Sequence, residues 1–375
     1  MVLITGAAGF LGSELAMALY RTFEPKALVL VDSMDQGFGQ PNDSSDLAIF
    51  EFKRQRIFHI LQTIENAYFY RVDFRPSIPE YFDTSEVPVL RHIFSWHNIT
   101  HVIHLADHVH RSLYQDKLQQ VIPRIKGQEK AGMLESLLEQ MILLKENGRQ
   151  PAFVYASSSE VYNNRVDFVN NPNPPPFNED KPLVTPSAVA GATKLVDEIQ
   201  AQGYFKIHNV TSIGLRFFHV YGPWGLPASL VFEVAEAVVA SKVPEVDGLD
   251  NIYDFIYIDD AVDAMMAALQ VSPKSALSLN VGTGKGTSIR ELVNEMQRLA
   301  GAERIAAKET AAQTISYADL QRMTQVLGLE PQVSLEEGLE KVLAWHHDRS
   351  FPYGSISDEI ATKGTMQCHK YDAEC

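Results

Sequence analysis

Cysteine is almost missing from this chain. Of its 375 residues only Cys368 and Cys375 carry a thiol, both within the last eight positions, so neither a disulfide framework nor a cysteine-based zinc site can organise the core. Long hydrophobic runs are missing too. No segment approaches the roughly 18 consecutive apolar residues of a membrane-spanning helix, and no membrane partner is expected. The chain opens directly on MVLITG, which reads as a strand and not as the charged and apolar regions of a signal peptide, so the expected location is cytoplasmic. Positive charge is scarce: a formal charge of -15 argues against a general grip on nucleic acid or anionic lipid, while leaving room for local basic sites. No Gly-x-Ser-x-Gly turn follows a strand, which removes the nucleophile elbow of a serine hydrolase. There is no internal repeat.

What is present is ordinary globular material. With 45% hydrophobic and 21% charged residues, the chain can bury one large core or two modest ones. Short apolar runs alternate with helical patterns: MVLITG, ALVLVD (27–32), AYFYRVD (67–73), HVIHLA (101–106), AFVYASS (152–158) and VTSIGLRF (210–217). β-Branched runs of this kind, separated by helices, predict a parallel, doubly wound α/β sheet of Rossmann type, with ligands at the carboxyl ends of the strands. Within 33–66, the spacing of Phe50, Ile57, Ile60, Leu61 and Ile64 predicts an inserted helix. A long helical pattern over 114–147 should bend or divide at Pro123. Its apolar face, with Met133, Leu137, Met141 and Leu144, packs either inside the monomer or in a dimer interface.

Asn170 to Pro182, rich in proline and asparagine, reads as a surface loop. From about residue 220 the pattern changes: a helix near 228–241, the strand-like DFIYIDD (254–260), a strand SLNVG (278–282), and helices near 288–300, 316–327 and 334–347. The resulting division is a dinucleotide-binding domain over 1–220, to which the strand near 254–260 returns, a smaller C-terminal α/β substrate-binding domain over 221–350, and a flexible tail over 351–375.

GAAGFLG follows the first strand and opens a helix. Gly6, Gly9 and Gly12 permit a tight turn and close approach, and the helix start at Gly9, Phe10 and Leu11 presents free N–H groups to a pyrophosphate. Asp32 ends the second strand 20 residues after Gly12, where its carboxylate can accept hydrogen bonds from an adenosine ribose and repel a 2′-phosphate. NAD is therefore favoured over NADP.

These residues resemble the extended short-chain dehydrogenase/reductases, the NAD-dependent sugar-nucleotide epimerases and dehydratases, and among them the UDP-glucuronate 4-epimerases. The resemblance is carried by GAAGFLG, HLA (104–106), YASSSEVY (155–162), GATKL (191–195), LRFFHVYGPWG (215–225), DFIYIDD and NVGTG (280–284), in that order. It implies a nucleotide-sugar partner, a UDP-hexose or UDP-uronate, whose C4 is oxidised by bound NAD and reduced again on the other face. It further implies that Leu105, Ala106 and Asp73 lie along the cofactor, although Asp73 reads equally as a turn cap. Lys194 would hold the nicotinamide ribose, or is a surface helix lysine. Ser158 would hydrogen-bond the reacting hydroxyl, or is a strand-end serine satisfied by backbone.

The stretch TPSAVAGATK resembles the Y-x-x-x-K helix of that family, with Ala190 in the place of the tyrosine and Lys194 in that of the lysine. One helical turn separates them. Other departures point the same way. His219 replaces a threonine, Leu226 the arginine expected near a uronate carboxylate, Tyr253 the arginine expected at the pyrophosphate, and Arg124 stands where an asparagine is usual. Glu160 matches the catalytic glutamate of UDP-glucuronate decarboxylases, or is solvated at the rim. His219 either substitutes as base or packs between Phe218 and Tyr221. His104, His108 and His110, with Asp107, have metal-like spacing, but His104 falls in the H-L-A string and should be buried near the cofactor; no metal is expected. Three functions result: an epimerase-like enzyme with impaired catalysis, an NAD-binding pseudoenzyme or regulatory module, or a UDP-glucuronate decarboxylase-like enzyme using Glu160; in each case the chain is expected to pair as a homodimer or as a heterodimer with a homologue.

Overall fold

The apolar strand runs sort their side chains into two layers. In β1 (Val2–Thr5), Val2 and Ile4 join one buried cluster and Leu3 the other; in β2 (Leu28–Asp32), Leu28 and Leu30 face the first and Val29 and Val31 the second. Such a two-residue period inside a continuous apolar run is what a strand covered on both faces requires. The computed structural model describes residues 1–23, 27–34, 44–72, 87–106, 133–162, 174–181, 186, 189–227, 229–244, 246–301 and 314–348.

Along the chain, α1 (Phe10–Phe23) joins β1 to β2, and α2 (Ser44–Thr63) precedes β3 (Ala67–Arg71). Then come α3 (Val87–Trp96), β4 (His101–His104), α4 (Met133–Glu146), β5 (Ala152–Ser158), a 3-10 turn (Ser159–Val161), α5 (Val189–His208) and β6 (Ser212–Phe217). The second part holds β7 (His219–Tyr221), α6 (Leu230–Val239), β8 (Ile252–Tyr253), β9 (Phe255–Tyr257), α7 (Ile258–Gln270), β10 (Ala276–Val281), β11 (Thr287–Ser288), α8 (Ile289–Leu299), β12 (Ile315–Ser316), α9 (Gln321–Leu327) and α10 (Leu335–Asp348).

Seven strands form one parallel sheet in the order β10-β6-β5-β4-β1-β2-β3. The chain order reverses between β1 and β4, so the ligand crevice of this α/β sheet lies past their carboxyl ends. The expected doubly wound sheet is thus the one observed. The inserted helix is α2, with Ile57, Ile60 and Ile64 buried. In α4, Leu137, Met141 and Leu144 are buried in the monomer's own core.

Two expectations are corrected. DFIYIDD does not return to the large sheet: only Phe255–Tyr257 is strand, and it pairs with β7 in a separate two-stranded ribbon. Ile258 already starts α7, whose first turn carries Asp259 and Asp260, favourable charges at a helix N-terminus. The strand that does return is β10, beside β6. The helix expected over 316–327 begins only at Gln321, because Ile315–Ser316 pairs in parallel with β8 and Ala318 donates its N–H to Asp254. Asp73, Asp107, His108, His110, Pro123, Arg124, residues 170–173 and 182 of the proline-rich loop, and the tail with Cys368 and Cys375 lie outside the described residues.

Candidate functional site

The glycine turn sits at the switch point. Gly6 has φ 69°, and a Cβ there would lie 2.6 Å from the Ala106 nitrogen and 2.7 Å from the Leu105 carbonyl carbon. A Cβ on Gly12 would lie 2.2 Å from the Gly6 oxygen, and one on Gly9 3.0 Å from it. Bare backbone is therefore compulsory where β1 turns into α1, and Leu105 and Ala106 close the opposite wall. The first helical N–H groups, at Phe10 and Leu11, point out of this turn. The Thr5 Oγ1 lies 2.6 Å from His104 Nδ1 and accepts the Ala106 N–H. His104 is a buried brace of the crevice, and among the described residues no group of His, Cys, Asp or Glu has the arrangement of a metal site.

Asp32 is buried. Its Oδ2 accepts the Ala8 N–H at 3.1 Å, its Oδ1 accepts the Met34 N–H at 2.9 Å, and Lys53 Nζ of α2 approaches Oδ1 to 3.1 Å. One turn along α2, Arg56 is also buried, between the rings of Phe10 and Phe52, and donates to the carbonyls of Ala8 and Trp224. The inserted helix thus clasps the glycine turn to the 222–225 segment. Sequence reading missed both cations. The signal was there: Lys53 and Arg56 fall on the helical face of Ile57, Ile60 and Ile64.

At the other end of the crevice, Ser158 closes β5, and its Oγ accepts the Glu160 N–H at 3.1 Å as cap of the 3-10 turn. The N-terminus of α5 presses on this turn so closely that a Cβ on Gly191 would lie 2.1 Å from the Glu160 oxygen. This contact brings Ser158, Glu160 and Ala190 together. Lys194 is buried, with its Nζ 3.7 Å from Asp197.

Behind these residues runs a buried polar network that the strand reading of VTSIGLRF passed over. Arg216 of β6 donates through Nε and Nη2 to the two carboxylate oxygens of Glu198 on α5, at 2.8 and 2.6 Å. Ser157 donates to the same carboxylate at 2.6 Å, Arg216 Nη1 donates to the Tyr162 hydroxyl at 2.7 Å, and Tyr162 donates to Asn280. Burial pushes the Tyr162 phenol up to about 12 despite the adjacent guanidinium, so it stays a donor. Asp254, also buried, accepts N–H groups from Thr283, Gly284 and Ala318 and so anchors the NVGTG loop; burial raises its carboxyl above the usual range.

His219 stands apart from the large sheet, on β7. Its ring packs 4.3 Å from that of Tyr253 and 5.7 Å from that of Phe255, rather than between Phe218 and Tyr221. Among the described residues its Nδ1 is buried without a hydrogen-bond partner, and burial lowers its pKa to about 4, leaving it neutral at pH 7. Leu226 is 47% exposed and Tyr253 is half-buried.

A Rossmann sheet with a glycine turn at its switch point defines a dinucleotide-binding protein. The profile of the NAD dependent epimerase/dehydratase family matches residues 2–282, and the chain belongs to that family. It is 29% identical over 351 residues to a UDP-glucuronate 4-epimerase of Thermodesulfobacterium geofontis, covering 92% of this chain and 95% of the relative. Among solved structures it is similar to a UDP-glucuronic acid 4-epimerase from Bacillus cereus in complex with NAD, with a TM-score of 0.71 and 25% identity, covering 93% of this chain and 99% of that one. It is also similar to MoeE5 in complex with UDP-glucuronic acid and NAD, with a TM-score of 0.68 and 25% identity over the same shares. The family's cofactor is NAD. The residues present fit it: a cradle that a Cβ on Gly6 or Gly12 would fill, N–H groups without intrahelical partners at the start of α1, and a buried Asp32 at the end of β2 that accepts the Ala8 N–H of the same turn.

Proposed function

We propose that the chain is an NAD-binding protein of the UDP-glucuronate 4-epimerase type, acting on a UDP-hexose or UDP-uronate, whose turnover is strongly impaired because Ala190 occupies the place of the acid/base tyrosine. One observation carries this reading: a methyl group lies one helical turn from the buried Lys194, beside the Ser158–Glu160 turn held by Gly191. NAD, when bound, supplies the hydride acceptor and donor for C4. The protein must supply the rest. Oxidation at C4 needs a group that takes the hydroxyl proton and returns it, and such positioned acid/base catalysis is worth roughly 100- to 10,000-fold. A methyl group carries no proton. Ser158 accepts from Glu160, so its own proton remains free to donate to a sugar hydroxyl, and the same reading gives Lys194 the nicotinamide ribose.

His219 is a poor substitute, since burial lowers its imidazole pKa to about 4 and leaves it too weak a base to draw a hydroxyl proton. Leu226 offers a uronate no charge partner, and Tyr253 offers a pyrophosphate a phenol where a cation would serve better. The similarity to UDP-glucuronate 4-epimerases over 92% of the chain supports the substrate class. We take the large sheet as the cofactor half and the part after residue 220 as the substrate half.

The same reading includes a pair of chains. Val196, Ile199 and Ile207 of α5 are 52, 59 and 77% exposed and share a helical face with Gly203, while Leu143 of neighbouring α4 is 38% exposed. A second copy of this chain, aligned on α4 and α5, would cover them. Light scattering should give twice the chain mass. For the site itself, mass spectrometry of nucleotides released from the purified protein should find NAD or NADH, and adding UDP-sugars should give little new NADH absorbance. Release of no dinucleotide would sink the reading.

A further inference from the structure

We propose that the adenosine end of this site accepts a 2′-phosphate as well as a free ribose, so that the chain binds NADP(H) alongside NAD(H), with Lys53 and Arg71 as the phosphate's partners. The proposal rests on the reading that Asp32 receives the adenosine ribose. A lone carboxylate at that place repels a 2′-phosphate. Asp32 is not alone. Lys53 Nζ lies 3.1 Å from its Oδ1, and Arg71 stands opposite it in the β2–β3 register.

The hydrogen-bond inventory points to the same conclusion. A carboxylate has about four acceptor positions. Three are taken on Asp32, by Ala8 and Met34 N–H groups and by Lys53. One position on Oδ2 is left, enough for a single ribose hydroxyl. Donors are in surplus beside it. Lys53, 20% exposed in its side chain, uses one of its three protons on Asp32, and Arg71 is exposed with its Nε donating to the Ser33 carbonyl at 3.3 Å. Among the described residues the terminal nitrogens of Arg71 carry no hydrogen bond, and they form the fork that suits a phosphate. Charge counts the same way among the described residues: Lys53 and Arg71 stand beside the Asp32 carboxylate, where an unaccompanied Asp32 would leave only negative charge.

Calorimetric titration with NAD and with NADP tests this, using the unaltered chain, Lys53→Met, Arg71→Met and the double variant, each at low and high salt. The unaltered chain should bind NADP within about tenfold of NAD, with the NADP affinity falling more steeply as salt rises. Each Met variant should weaken NADP by about tenfold more than it weakens NAD, and Lys53→Arg and Arg71→Lys should retain NADP binding. Both side chains reach the surface, and the melting temperature of each unliganded variant checks that it folds. NAD binding with NADP more than about a hundredfold weaker, or a ratio unmoved by either Met variant, would overturn the proposal. Failure of the unaltered chain to bind either dinucleotide would overturn the reading of the cradle itself.

Discussion

Gly191 meets the Glu160 carbonyl at a separation that leaves no room for a side chain, a Cβ there falling 2.1 Å from the oxygen. This one contact fixes where the N-terminus of α5, and with it Ala190, sits against the end of β5. Gly191→Ala must therefore push helix and turn apart, since the obstacle is backbone and cannot rotate away. Overpacking of this kind costs roughly 1–3 kcal/mol. The melting temperature should fall, and dinucleotide binding should weaken with it if Lys194 moves with the helix; an unchanged melting temperature would show that the turn yields freely.

The Arg216–Glu198 pair ties β6 to α5 in a buried setting, with both residues almost fully enclosed. Removing one partner leaves a buried charge uncompensated. Glu198→Ala or Arg216→Met should cost about 3–5 kcal/mol in urea unfolding, whereas the double replacement should cost clearly less than the sum. Additive losses would show that the two residues act independently.

His219 gives a pH dependence of known sign. Its pKa falls from an ordinary 6.5 to about 4 on folding, so the unfolded chain takes up the proton first. The stability contributed by the neutral ring is fully present above about pH 6.5 and is lost as pH falls towards about 4. Between neutral and mildly acidic buffer the unaltered chain should therefore lose more unfolding free energy than His219→Phe, which keeps the packing on Tyr253. Equal losses would place the titration elsewhere.

The parallel sheet was legible because each apolar run must feed two covered faces, and the glycine turn because only backbone fits between Gly6, Gly12 and Ala106. What escaped was chemistry set by partners distant in sequence. Lys53 and Arg56 lie in a KRQR stretch that looks solvated, and only the face shared with Ile57 and Ile60 tells that two of its cations point inward. Arg216 sits in an otherwise apolar strand, and its meaning comes from Glu198 on another element. DFIYIDD read as one strand because its apolar residues carry no mark of where the strand stops; the two aspartates at the start of α7 supply it.

Leu226 sets the expectation for substrate charge. Burying a carboxylate without a partner is costly, so UDP-glucuronate should compete for the site no better than UDP-glucose. Leu226→Arg should shift the preference towards the acid by about tenfold, as a charge-assisted contact would. A strong preference for the acid in the unaltered chain would mean that another cation serves the carboxylate.

The most direct test is the rate of C4 epimerisation of UDP-glucuronate and UDP-glucose by the unaltered chain and by Ala190→Tyr. With Lys194 and Ser158 in place to orient a phenol, the variant should gain turnover. It should fall short of full activity, because Leu226 and Tyr253 leave the substrate loosely anchored and misplacement by an ångström can cost about a hundredfold. The expected result is turnover near background for the unaltered chain and clearly above it for Ala190→Tyr. Robust turnover by the unaltered chain, unchanged or lowered by the substitution, would contradict the reading and make another residue the working base.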